Sequence, residues 1–107
     1  MEFRLSDEHR AVREAVRTFG EREIRPVATE HDAERRYPHE LVTKAADVDL
    51  VAPIIPEEYG GAGMDTLGTT IVTEELWRAD PGIGSAIGSR GFGTEMLLAY
   101  GDDWMCE

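Results

Sequence analysis

Apolar residues in this chain recur at intervals of three and four, and nowhere do they alternate with polar ones over a useful length. That spacing is the mark of an amphipathic helix, and the missing period of two removes sheet from the range of folds. Ser6 is a suitable N-cap, with Asp7 and Glu8 in a first turn where the helix dipole favours acids. Val12, Ala15, Val16 and Phe19 then share one face, opposite Arg10, Arg13, Glu14 and Arg17, in a helix reaching about Ile24. Pro26 bends or restarts it, and Val27, Ala28 and His31 continue one face.

A second helix starts in "RRYPHELVTKAADVDL", with Pro38 in its first turn, Leu41, Val42, Ala45 and Ala46 on its apolar side, and Asp49 where it ends. A left-handed residue is common at such an end, and Asp tolerates it less well than Gly. "VAPIIPEEYGGAGMD" is interrupted by Pro53, Pro56, Gly60, Gly61 and Gly63 and reads as an extended, partly buried connector. Asp65 or Thr66 caps the next helix, whose stripe is Leu67, Ile71, Val72 and Leu76, and Asp80-Pro81-Gly82 ends it. A glycine-rich stretch leads into "MLLAYG", with Gly101 as a stop. The expectation is an all-α chain of four or five helices with one irregular Gly/Pro-rich connector.

At 107 residues there is room for one domain at most. The chain carries 22 acidic residues against 11 Lys and Arg, a net charge of −11, and its single lysine is Lys44. The acids are spread along the chain, as in a solvated acidic shell adapted to high salt. This balance argues against nucleic acid and anionic membrane, which need a basic face. One cysteine, Cys106, allows neither a disulfide framework nor a zinc site. No apolar run approaches a membrane span and "MEFRLSDEHR" is not a signal peptide, so a soluble, cytoplasmic protein is expected.

"DPGIGSAIGSRGFGTE" holds Gly82, Gly84, Gly88, Gly91 and Gly93, five glycines in twelve residues. A dinucleotide fingerprint needs G-x-G-x-x-G after a strand, but Ile87 stands at the third glycine position and the preceding segment is helical. No Gly-Lys pair exists for a Walker loop. The alternative is a helix from about residue 81 to 100. Each interior glycine costs such a helix about 0.5–1 kcal/mol against alanine, so something must offset it. Gly84, Gly88 and Phe92 would lie four apart on one face, bordered by Ser85. A face lacking side chains makes a groove, which receives either a neighbouring helix or a slender apolar ligand.

"FRLSDEHRAVREAVRTFGEREIRPVATEHD", "YPHELVTKAADVDLVAPIIPEEYGGAGMD" and "TEELWRADPGIGSAIGSRGFGTEMLLAYG", in that order, resemble the N-terminal helical domain of acyl-CoA dehydrogenases. The P-E-x-Y-G-G-x-G turn at 56–63 is the most specific piece. The resemblance implies a small orthogonal helical bundle over residues 1–103, followed by a divergent tail, 104–107, where "GDDWMCE" loses the family's pattern. It implies FAD-dependent α,β-dehydrogenation of acyl-CoA thioesters in a full-length protein, in homo-oligomers. The carboxylate base and most flavin contacts belong to the middle β and C-terminal domains, so no catalytic and no cofactor-binding residue is assigned here. Carried over by position, Gly84, Ser85, Gly88 and Phe92 would face the acyl chain, with Phe92 limiting the depth. The resemblance also sets Asp49 where the family closes its second helix with glycine. The chain alone is expected to be silent and to bind FAD weakly or not at all. The rival reading is a stand-alone helical module that dimerises, or pairs with a paralogous subunit, through faces the missing domains would cover.

Other candidates have structural readings. Glu74 and Glu75 point about 100° apart on a helix and cannot share one proton site. His9, His31 and His39 lack metal-ligand spacing and suit surface or capping roles. Tyr59 anchors the connector, Trp77 and Trp104 are packing or oligomer contacts, and Cys106 has no base beside it.

Overall fold

The computed structural model describes residues 1–107, and it is helical throughout, without strands. Helix α1 (Asp7–Phe19) passes through a five-residue π-helical segment, Gly20–Ile24, into α2 (Arg25–Glu34). Residues 7–34 are thus one rod, longer than the proline suggested. Pro26 follows directly on the π segment, whose wider hydrogen-bond register accommodates its missing N–H without ending the rod. Ser6 caps α1 by accepting from the His9 amide at 3.1 Å.

The α2 terminus closes on Arg35 at φ 53°, with Arg36 N–H donating to the His31 carbonyl and Arg35 N–H to that of Asp32. Helix α3 (His39–Asp47) closes the same way on Asp49, at φ 59°. There Leu50 N–H donates to Ala45 O at 2.8 Å and Asp49 N–H to Ala46 O at 3.1 Å. These are two Schellman ends built without glycine. The second confirms the left-handed residue expected at Asp49 and sends Leu50 into the core.

The connector carries one short 3₁₀ turn, Glu57–Tyr59. Asp65 is the cap of α4 (Thr66–Ala79), its carboxylate accepting from Gly68 N–H at 2.6 Å. The helix turns Gly68, Ile71, Val72, Glu75 and Leu76 inward. Leu67, expected in the apolar stripe, falls beside that arc and is exposed. Asp80 ends α4 and caps α5 (Pro81–Gly88) in a single residue, accepting from Ile83 N–H at 2.8 Å.

The predicted helix over 81–100 is broken. After α5 come a 3₁₀ turn, Ser89–Gly91, an extended Phe92 and a left-handed Gly93 at φ 89°, and only then α6 (Thr94–Tyr100). A Cβ at Gly91 would lie 2.7 Å from that of Ala52, so glycine is what lets the chain pass this close to the connector. A last turn, α7 (Asp103–Cys106), packs on α6.

One core holds Val16, Ile24, Leu41, Val42, Ala45, Leu50, Val72, Leu76, Ile83 and Ile87. It lies where α4 packs against both α1 and α5, with α3 against α5. The molecule measures 42 × 37 × 20 Å, a slab about two helices thick. No helix is long and apolar enough to cross a membrane.

Candidate functional site

The slab carries a cleft of about 410 Å³ on the side where α4, the connector and α5 meet. Buried Leu50, Val72 and Leu76 form its floor, Pro53 and Ile54 one side, and Gly84 and Gly88 another. Its rim is 91–96, which includes Phe92 and Met96. No lysine, arginine or histidine lines it, and the one ionisable group is Glu95 at the exposed rim. An apolar floor without a cation suits hydrocarbon and cannot neutralise a pyrophosphate. The cleft therefore does not fit a flavin dinucleotide.

Of the four residues expected at a substrate face, the structure brings Gly84, Gly88 and Phe92 to this cleft and leaves Ser85 outside it. Gly84 is buried, and a Cβ there would lie 3.0 Å from the Leu76 carbonyl carbon and the Trp77 nitrogen. Its missing side chain lets the backbones of α4 and α5 meet, so half of the expected groove is taken by the neighbouring helix. Gly88 is the opposite case, with no atom within 4 Å of an added Cβ. Phe92 reaches the same cleft across the helix break, but as a rim residue 92% exposed. Ser85, on α5, is half-buried and does not line the cleft.

Two features have no counterpart in the sequence reading. Leu50, Pro53 and Ile54 complete the cleft from the connector, and no local pattern marks them as neighbours of α5. The second is Thr69 on α4, which borders the cleft and whose hydroxyl is buried without a hydrogen-bond partner.

The charged residues beneath the cleft hold the helices in place. Glu75, 3% exposed, accepts from Arg17 Nε at 3.0 Å and Nη2 at 2.7 Å, a bidentate pair tying α1 to α4. Arg13 and Arg78 stand at 3.8 and 3.9 Å. The Arg17 hydrogen bonds hold the Glu75 carboxyl below the usual carboxylate range, against the opposing effect of burial. Glu74 points to solvent, so the adjacent acids do part as expected. His9 joins two helix caps: its Nδ1 meets the Ser6 hydroxyl at 2.7 Å and its Nε2 the Asp65 carboxylate at 3.0 Å. The Gly68 amide and then His9 hold Asp65 below its ordinary range. His31 Nδ1 meets the Arg36 carbonyl at 3.0 Å, at the end of α2, and His39 lies against the Tyr37 ring. Tyr59 is half-buried, and burial followed by nearby Glu58, Cys106 and Asp103 pushes its phenol up.

The chain belongs to the acyl-CoA dehydrogenase family: the model described as "Acyl-CoA dehydrogenase, N-terminal domain" matches residues 6–107. Among its relatives, "Probable acyl-CoA dehydrogenase fadE25" of Mycobacterium bovis is 38% identical over 101 residues, covering 94% of this chain and 26% of that protein. "Acyl-CoA dehydrogenase, short-chain specific" of Clostridium acetobutylicum is 42% identical over 76 residues, covering 71% of this chain and 20% of that protein. A chain of the solved structure described as "Electron transferring flavoprotein of Acidaminococcus fermentans: Towards a mechanism of flavin-based electron bifurcation" superposes with a TM-score of 0.90 at 24% identity, over 99% of this chain and 28% of that one. That likeness shows the fold. The chain spans about a quarter of the length of the relatives it matches.

Proposed function

We propose that this chain supplies one wall of the acyl-chain pocket of an FAD-dependent acyl-CoA dehydrogenase. Flavin and general base would be supplied by further domains or a partner subunit, and the enzyme would work as a homo-oligomer. The observation that carries the reading is the open position at Gly88 above an apolar, cation-free floor. A glycine in helical conformation with nothing packed against it, here the last residue of α5, costs stability and returns none to the fold, which suits a position kept clear for a ligand. Gly88 and the floor face the hydrocarbon, Phe92 guards the mouth, and Gly84 serves by letting α5 sit close to α4. By itself the chain is silent and holds FAD weakly or not at all.

Gly88→Leu is the test. It fills the cleft without meeting another atom at Cβ, so the fold stands while octanoyl-CoA, followed by calorimetry, binds at least about tenfold more weakly. Unchanged affinity in a folded variant contradicts the acyl-wall reading. Stoichiometric visible flavin absorbance on the purified chain contradicts the cofactor half of it.

A second reading, a stand-alone module pairing with another subunit, is favoured by one surface. Phe92, Met96, Tyr100 and Trp104 recur every four residues and are 92, 64, 82 and 71% exposed. Aromatic and methionine side chains in such a row are typical of interface anchors. Light scattering after size exclusion tests it: a dimer that Tyr100→Ser with Trp104→Ser dissolves supports it, and a monomer opposes it. The acidic surface, with its one lysine, supports a protein adapted to a salt-rich cytoplasm.

A further inference from the structure

Ser6, His9 and Asp65 are linked by hydrogen bonds into one chain, and none of the three lines the cleft. The direction of that chain follows from charge. The Gly68 amide and His9 hold the Asp65 carboxyl below its ordinary range, so it is ionised and can only accept. His9 Nε2, at 3.0 and 3.1 Å from the two carboxylate oxygens, therefore carries a proton. In the neutral ring Nδ1 is then an acceptor, and the Ser6 hydroxyl, 2.7 Å away, donates to it.

A helix cap explains only half of this. Capping α1 needs a lone pair of Ser6, given to the His9 amide at 3.1 Å. The hydroxyl proton is left over, and it points at a base whose far side is held by a carboxylate. Nucleophile, base and orienter in hydrogen-bond contact are recognised by that geometry and not by their order in the chain. Ser6 is exposed, so a substrate can reach it, whereas the His9 side chain is only 19% exposed and is fixed between its two partners. The serine oxygen also lies at the positive end of a 13-residue helix, which favours negative charge developing on it. Ser89 is equally exposed, but its hydroxyl donates to the Ala86 carbonyl, which is no base.

We propose that Ser6 is an acyl-accepting nucleophile, with His9 as its general base and Asp65 as the residue that positions the ring, and that it takes short acyl groups from uncharged esters and thioesters. The open surface at Ser6 offers no walls for a long chain, and the neighbouring Asp7 and Glu8 repel anionic donors. Ser6 Oγ forms the bond to the acyl carbon while its proton passes to His9 Nδ1. The C–S or C–O bond of the donor breaks, and the leaving thiolate or alkoxide takes that proton. The products are an ester on Ser6 and a free thiol or alcohol. This step uses no flavin and is separate from dehydrogenation, in which the chain by itself is silent.

The test incubates the 107-residue chain with S-acetyl-N-acetylcysteamine, an uncharged thioester, and locates the acetyl group by peptide mass spectrometry. Ser6 is expected to be acetylated at least about a hundredfold faster than Ser89, the typical worth of a positioned base. His9→Gln, which can still serve a capping box, should remove that advantage. Asp65→Asn keeps a capping side chain for α4 and should slow the reaction by about tenfold or more. Melting curves show that both variants fold. In the parent, the pH at which acetylation reaches half its plateau should coincide with the titration midpoint of the His9 ring followed by NMR, and in Asp65→Asn the two should move together.

Acetylation of Ser6 no faster than of Ser89 overturns the proposal, as does an unchanged rate in folded His9→Gln. A rate midpoint that stays put while the His9 titration moves leaves Asp65 and His9 as helix caps only, and overturns it equally.

Discussion

Gly84 and Gly88 lie one helical turn apart on α5 and have opposite physical roles. At Gly84 an added methyl meets the α4 backbone at 3.0 Å, so Gly84→Ala should destabilise by about 1–3 kcal/mol. At Gly88 the same methyl meets nothing, so Gly88→Ala should stabilise by about 0.5–1 kcal/mol. Paired urea titrations check both signs; equal effects would contradict the assignment of the two glycines. Asp49 and Arg35 hold left-handed conformations that favour glycine, and Asp49→Gly should gain about 1 kcal/mol. The sequence reading foresaw the first of these ends and grouped the two glycines correctly on one face. It could not separate their roles, because what distinguishes them is how α5 folds back on α4 at Asp80, bringing Leu76 and Trp77 against Gly84 only, and that leaves no periodic trace.

Between elements, the strongest polar tie is the Arg17–Glu75 pair of α1 and α4. Glu75→Gln should cost about 2 kcal/mol, since a buried pair loses its charge while the arginines remain. The pH dependence has a definite sign. Glu75 and Asp65 are both held below their ordinary range in the folded chain, so each adds stability above its unfolded pKa, around pH 4. That stability is lost as pH falls through the lower folded values. The melting temperature should drop on acidification below about pH 4.5, less steeply in Glu75→Gln. An identical slope in the variant would contradict the role given to the pair. The break between α5 and α6 was misread because glycine tolerates both a helix interior and a turn. In the structure the turn runs through Gly93 at φ 89°, and Gly91 lets the chain pass close to Ala52. Phe92, Met96, Tyr100 and Trp104 repeat every four residues in sequence, and in the structure all four are exposed, with Phe92 ahead of α6 and Trp104 in α7.

For the molecule as a whole, thinness and charge matter most. Every core residue precedes Gly88, and α6 and α7 contribute none. Deleting residues 92–107 should therefore change the folding free energy by only about 1 kcal/mol while removing the rim of the cleft. A net charge of −11 on so small a surface is self-repulsive, and salt screens it within roughly 10 Å at 0.1 M. The melting temperature should rise from dilute buffer to molar salt, and a flat response would contradict the salt-adapted reading. Fold class, connector and most caps were legible because they depend on local spacing and turn chemistry. The cleft was only half legible, since it is made by segments that meet through the fold.

The central claim is that the open side of α5 holds a hydrocarbon chain. Amide NMR of the isolated chain, titrated in parallel with octanoyl-CoA and with CoA lacking the acyl group, tests it most directly. Shifts at Gly88, Val72 and Phe92 with the acylated compound alone are the predicted result. Identical shifts with both compounds, or shifts confined to other faces of the slab, would contradict it.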